Sequence, residues 1–153
     1  MQRKEFLKKA TIQNASKLKV GIVASRFNDD ITDELLEGAR AVCRQWGVQE
    51  KNLHIVRVYG SFEIPSAAQR LIRRKKLDAL VALGCIVKGE TRHDEYLANA
   101  TTQGLMRVQL DEAVPVGLGV LTTNTLAQAR ARSRGAHNHG AQAARAALEA
   151  AMN

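Results

Sequence analysis

Aromatic side chains are scarce in this chain: three Phe, two Tyr and one Trp among 153 residues. Each is therefore informative where it falls, and no interleaved aromatic and basic module of a nucleic-acid binder is present. Cysteine is nearly absent. Cys43 and Cys85 have none of the paired spacing that holds zinc or a redox disulfide, so both read as small buried hydrophobes in a reducing compartment. No apolar run approaches the roughly 18 residues that span a bilayer, so no membrane-spanning helix is expected. The basic start Met1 to Lys9 is not followed by the roughly 7 to 15 apolar residues of a secretion leader, and a soluble cytoplasmic protein is expected. Acidic residues are outnumbered, 15 against 23 basic ones, giving a formal net charge of +8. The surplus is dispersed over Arg3-Lys4 with Lys8-Lys9, Arg73-Arg74-Lys75-Lys76, and Arg130, Arg132 and Arg134. The middle cluster closes a helix pattern, where cations complement the dipole, and no nucleic-acid partner is expected.

A linker rich in proline or serine is also missing, so residues 19–153 read as a single domain behind an N-terminal segment, 1–18. Apolar residues make up 45% of the chain, enough for a real core. From Lys19 onward strand and helix patterns alternate, which predicts an α/β fold with a parallel sheet. Val20–Ala24, Leu53–Val58, Ala79–Val87 and Val114–Leu121 read as its four strands. Apolar residues recur at helical spacing from Ile31 to Trp46, with Asn28, Asp29 and Asp30 as possible caps and Gly47 as a stop. Ile64 to Ile72, with Pro65 near the first turn, and Tyr96 to Val108 are two further helices. Thr125–Arg132 and Ala141–Met152 read as the last two, separated by a loop from Ser133 to Gly140.

In an open α/β sheet, ligands bind outside the carboxyl ends of the strands. The unusual local sequences fall there: Arg26-Phe27-Asn28, Gly60-Ser61-Phe62-Glu63, Lys88 to His93, and Leu121-Thr122-Thr123-Asn124. The third is the most informative. A strand apolar on both faces runs into Lys88-Gly89-Glu90-Thr91-Arg92-His93, which turns into a helix and sets His93 in its first turn. Free backbone N–H groups at a helix start suit a phosphate, so an anion seat lies beside an acid/base.

These segments, in this order, resemble the 6,7-dimethyl-8-ribityllumazine synthase family from about Val20 to the C-terminus. The matching words are Arg26-Phe27-Asn28, Leu35-Leu36-Glu37-Gly38-Ala39, Gly60-Ser61-Phe62-Glu63-Ile64-Pro65, Ala82-Leu83-Gly84, Gly89-Glu90-Thr91 with His93, Val114-Pro115-Val116 and Gly119-Val120-Leu121-Thr122-Thr123. The resemblance implies a flavodoxin-like three-layer α/β/α sandwich around a four-stranded parallel sheet. It implies condensation of 5-amino-6-(D-ribitylamino)uracil with 3,4-dihydroxy-2-butanone 4-phosphate, the penultimate step of riboflavin synthesis, without metal or organic cofactor. A flavin- or lumazine-binding relative without synthesis is the alternative.

By resemblance, Phe27 stacks on the pyrimidine, and Ser61, Phe62 and Glu63 match the segment that binds the ribityl chain and ring. Glu63 has a second reading, as a carboxylate that favours the start of the following helix. Cys85, Ile86 and Val87 match the strand end that meets the pyrimidine through backbone groups. Glu90 and Thr91 match the phosphate turn, with backbone N–H groups binding and the Glu90 carboxylate turned to solvent. Arg132 matches the arginine that pairs with the phosphate, with Arg130 and Arg134 as rivals, and His93 matches the proton donor and acceptor. Lys88 suggests a Schiff-base lysine, yet family members commonly carry a basic residue there with no covalent role.

Four positions depart from the pattern. Leu118 stands where many members have phenylalanine against the pyrimidine, and His139, a possible pocket residue, stands where lysine is common, after a loop one residue shorter. Tyr59 replaces a frequent proline and Ser61 a frequent alanine. The resemblance further implies pentamers whose sites lie between subunits, with the region of Leu118, Arg132 and His139 supplied by a neighbour. Arg92-His93-Asp94 with Val108-Gln109-Leu110 is similar to the branch of paired pentamers, whereas Arg26-Phe27-Asn28 and Thr122-Thr123 are similar to the branch with icosahedral 60-subunit shells. Both stay open.

Overall fold

The structure, a computed structural model, describes residues 2–8 and 11–153; Met1 and Lys9 of the basic start lie outside the described residues. Strands β1 (Val20–Ser25), β2 (Leu53–Val58), β3 (Ala79–Val87) and β4 (Val116–Thr123) pair in the order β2-β1-β3-β4, every pair parallel. Parallel neighbours need a crossover, supplied by helices α2 (Asp29–Gln45), α3 (Ile64–Lys75) and α4 (His93–Glu112). Helices α5 (Leu126–Ser133) and α6 (His139–Ala151) follow β4, and a short α1 (Arg3–Lys8) precedes β1.

Successive strand residues face opposite sides of the sheet. Ile22, Ala24, Val81, Leu83 and Cys85 pack under Leu35 and Ala39 of α2 and Ala144 and Leu148 of α6. Val23, Leu80, Ala82 and Ile86 pack against Ile64 and Leu71 of α3 and Leu105 of α4. Both faces of the sheet are therefore covered, which is the three-layer α/β/α sandwich that the resemblance implies, around the parallel sheet that the alternating pattern predicts. Helix α2 buries the predicted stripe and stops where Gly47 takes a positive φ of 86°, a conformation that costs glycine little.

Several boundaries shift from the sequence reading. The fourth strand begins at Val116 rather than Val114, because Val114 donates to the Gln109 carbonyl and Pro115 has no N–H to give the ladder. It extends through Thr122 and Thr123, which pair with Ile86 and Val87. Helix α5 starts one residue late, since Thr125 is its cap, accepting from the Gln128 N–H at 3.1 Å. Helix α6 starts two residues early, capped by Asn138, which accepts from the Ala141 N–H at 3.1 Å. The Asn138 amide also donates to the Ser133 carbonyl at 2.7 Å and the Glu34 carbonyl at 2.8 Å, joining α2, α5 and α6. Gly140 lets α6 press on the Leu35 carbonyl and Gly117 lets β4 press on the Ala143 carbonyl; a Cβ at either would overlap backbone.

Candidate active site

A cavity of about 750 Å³ opens at the carboxyl ends of β1, β2 and β3. Its wall is assembled from three corners: Phe27 and Asn28 after β1, Tyr59 through Glu63 after β2, and Cys85, Ile86, Val87 and Lys88 at the end of β3. His93, Tyr96, Leu97 and Ala100 from the first turns of α4 close one side, and Leu126 of α5 another. Phe27, Tyr59, Phe62 and Tyr96 all line it, each more than 60% exposed. Four of the six aromatic side chains of a chain poor in them therefore stand around one opening. Exposed rings cost hydration unless something covers them, and a planar ring is a natural cover.

The corners are fixed by backbone. Arg26 and Phe27 continue the sheet by donating to the carbonyls of Val58 at 2.7 Å and Tyr59 at 3.0 Å. Asn28 follows in the left-handed region, φ 60°, and sends its side-chain amide to the Cys85 carbonyl at 3.2 Å. It occupies the cap position of α2 without capping, so the cap read from sequence is instead a tie between β1 and β3. The Gly60 N–H donates to the Glu63 carboxylate at 2.9 Å, so this acid closes its own turn where α3 begins. Ser61 is buried, and its carbonyl accepts from the Thr101 hydroxyl of α4 at 3.3 Å. Arg57 of β2 donates to the Asp33 carboxylate at 2.7 Å and the Ser25 carbonyl at 3.0 Å, bracing the start of the Phe27 corner.

Cys85 is 3% exposed, and burial pushes its thiol up to about 11, helped by the Asp30 carboxylate and opposed by the Asn28 hydrogen bond. A thiol so held is no nucleophile near neutrality. His93 stands at the first position of α4 on the cavity wall, and its backbone N–H donates to the Thr91 hydroxyl at 3.3 Å. Among the described residues, no three His, Cys, Asp or Glu side chains are grouped as metal ligands.

The structure brings Phe27, Ser61, Phe62, Glu63, Cys85, Ile86, Val87 and His93 around one cavity. Glu90 and Thr91 lie exposed on the turn before α4, with no part in the wall. Leu118 is also outside it: paired with Ala82, it sits well down the edge strand β4, 55% exposed. Arg132 donates back to the Gln128 carbonyl of its own helix at 3.0 Å. His139 faces Arg3, ring nitrogen to guanidinium, at 3.3 Å, and burial followed by the charges of Arg3, Arg132 and His137 lowers its pKa. Sequence reasoning missed Tyr59 and Tyr96 as wall residues, although the rarity of aromatics was a signal for both. It also missed the Asn28 tie, which no local pattern announces.

An aromatic rim, buried strand-end backbone and an imidazole at a helix start can hold a planar ring, seat an anion and move a proton. Residues 17–153 match the family described as 6,7-dimethyl-8-ribityllumazine synthase. The chain belongs to that family. A 6,7-dimethyl-8-ribityllumazine synthase from Paracidovorax citrulli is 47% identical over 135 residues, 88% of this chain and 86% of the relative. Those from Mycobacterium leprae and Mycobacterium avium are 48% and 49% identical over 142 residues, 91% of this chain and 86% of each relative. The coverage extends past the cavity to α6, so the lumazine synthase likeness takes in Leu118, Arg132 and His139 as well as the wall.

Proposed function

We propose that this lumazine synthase family member condenses 5-amino-6-(D-ribitylamino)uracil with 3,4-dihydroxy-2-butanone 4-phosphate to 6,7-dimethyl-8-ribityllumazine. The observation that carries the reading is the cavity itself, which joins an aromatic rim to His93 at the ends of a parallel sheet. The planar pyrimidine lies between Phe27 and Phe62, its polar edge toward the backbone of Cys85, Ile86 and Val87. Ser61 and Glu63 border the ribityl chain; one Glu63 oxygen is held by Gly60, leaving the other to accept from a hydroxyl. The phosphate sits on the turn at Glu90 and Thr91, and Arg132 supplies a planar cationic fork. His93 carries protons during imine formation, phosphate loss and ring closure; holding two substrates in register supplies the rest. No step calls on a metal or cofactor.

The same reading assigns Leu118, Arg132 and His139 to a neighbouring subunit's cavity. Their exclusion from the cavity wall within one chain, and the exposure of the rim, support a site shared between adjacent copies in a pentamer. Residues 19–153 form its single domain. The 1–18 segment is an appendage, tied on by Ala15, which is buried and donates to the Trp46 carbonyl, and by Arg3, which donates to Gln142 at 2.6 Å. Two buried free cysteines, and the lack among described residues of a helix fit to cross a membrane, support a cytoplasmic setting.

Absorbance of the lumazine product, followed when protein meets both substrates, tests the reading against the uncatalysed reaction. A rate well above background is expected. Ligand retention with a rate equal to background, from folded oligomeric protein, would overturn it.

A further inference from the structure

Lys88 has no role in the scheme above, yet its position gives it one. Its N–H donates to the Thr123 carbonyl at 2.8 Å, so the sheet fixes its backbone just beyond the last residue of β3. Lys88 lines the cavity, as does His93, and among the described lining residues it is the one lysine or arginine. No carboxylate lies within ion-pair distance of it among the described residues. The acid on the wall, Glu63, belongs to the corner after β2, where the Gly60 N–H holds its carboxylate at 2.9 Å. The cavity thus holds a cation and an imidazole at the β3 end, while its one carboxylate is already engaged at the corner after β2. Arg132 is outside this wall.

We infer that the Lys88 ammonium captures the phosphate of the phosphorylated substrate from this chain's own side of the site and so sets which end of that substrate enters the β3 corner. The inference rests on the function proposed above and deepens it. The role is electrostatic and not covalent: an exposed lysine on a flexible stem is a point charge suited to a dianion, whereas a Schiff-base lysine is activated in a dry pocket. Because the group is exposed, its attraction falls with salt.

Lys88→Gln and Lys88→Arg test this in the full-length protein, with each substrate varied in turn and binding of inorganic phosphate measured by calorimetry. Removing the charge should raise KM for the phosphorylated substrate and weaken phosphate binding by about tenfold, the size of one charge-assisted hydrogen bond. KM for the pyrimidine substrate should hold, kcat should fall far less than KM rises, and Lys88→Arg should restore both. Wild-type kcat/KM should also fall more steeply with salt than that of Lys88→Gln. Unchanged phosphate binding and KM in Lys88→Gln would overturn the inference, as would loss of kcat in both variants, which marks a covalent amine. If wild type fails to make lumazine, the proposed reaction falls, and phosphate binding in wild type against Lys88→Gln still decides whether Lys88 is an anion seat.

Discussion

At the scale of single residues, the helix start at His93 and the buried thiol of Cys85 make opposite predictions about chemistry on the same wall. His93→Ala removes the proposed proton carrier and leaves intact the turn at Glu90 and Thr91 proposed to seat the phosphate. We expect kcat to fall by about 10² to 10⁴, the usual range for general acid–base groups, with KM for the phosphorylated substrate changed far less. Steady-state kinetics checks it, and wild-type turnover by the variant would remove the role. Cys85, with its thiol pushed up to about 11, should react slowly with a disulfide reagent in folded protein at pH 8 and promptly after unfolding. Cys43, also pushed to about 11 by burial, should behave the same, so fast labelling of either would contradict the packing. Much at this scale was legible. Phe27, Phe62 and His93 sit in short words at strand ends, where a parallel sheet leaves room for little but a ligand. Tyr59 was signalled only by the rarity of its ring, and Asn28 not at all, because a side chain turned back to another strand depends on which strands become neighbours.

Among elements, the junction of α2, α5 and α6 hangs on Asn138. Asn138→Ala deletes a cap and leaves the Ser133 and Glu34 carbonyls without their donor in a buried place. The expected loss is about 2 to 4 kcal/mol, seen as a lower midpoint in urea. A change under about 0.5 kcal/mol, the size of an ordinary surface substitution, would show that the knot is not structural. The neighbouring His139 adds a pH dependence. Its folded pKa lies below the ordinary 6.5, so the unfolded chain binds the proton more readily. Its contribution is therefore intact above about pH 6.5 and is lost as pH falls through that value toward the folded pKa. Melting temperatures from pH 7.5 to 5.5 should drop more for wild type than for His139→Gln. The sequence marked Ser133 to Gly140 as a loop since it breaks every period. That Asn138 both ends the loop and starts α6 becomes visible only when Glu34, 104 residues earlier, is beside it.

For the whole molecule, the order β2-β1-β3-β4 leaves β4 at an edge, with Leu118 exposed away from the cavity of its own chain. If sites are shared, two dead variants should rescue one another. Chains carrying His93→Ala mixed with chains carrying Arg132→Ala, unfolded and refolded together, should regain activity, since about a quarter of random interfaces join a wild-type His93 to a wild-type Arg132. No regain in mixed oligomers of the right size would place each site within one chain. Fold class was legible as a whole because a parallel sheet covered on both faces needs near-continuous apolar strands such as Ala79–Val87. The edge was less so: Thr122 and Thr123 look like loop residues until β3 offers them partners.

The bond from Asn28 to the Cys85 carbonyl has a consequence for entropy. It joins the Phe27 corner to the end of β3, so the two halves of the ring seat proposed above are immobilised together when the chain folds. Little ordering remains for substrate to impose, and association should resemble a key meeting a finished lock more than a loop closing over a guest. Asn28→Gly keeps the left-handed backbone and cuts the tie. It should slow no chemistry directly, yet speed amide exchange at both corners and make ring binding more dependent on temperature.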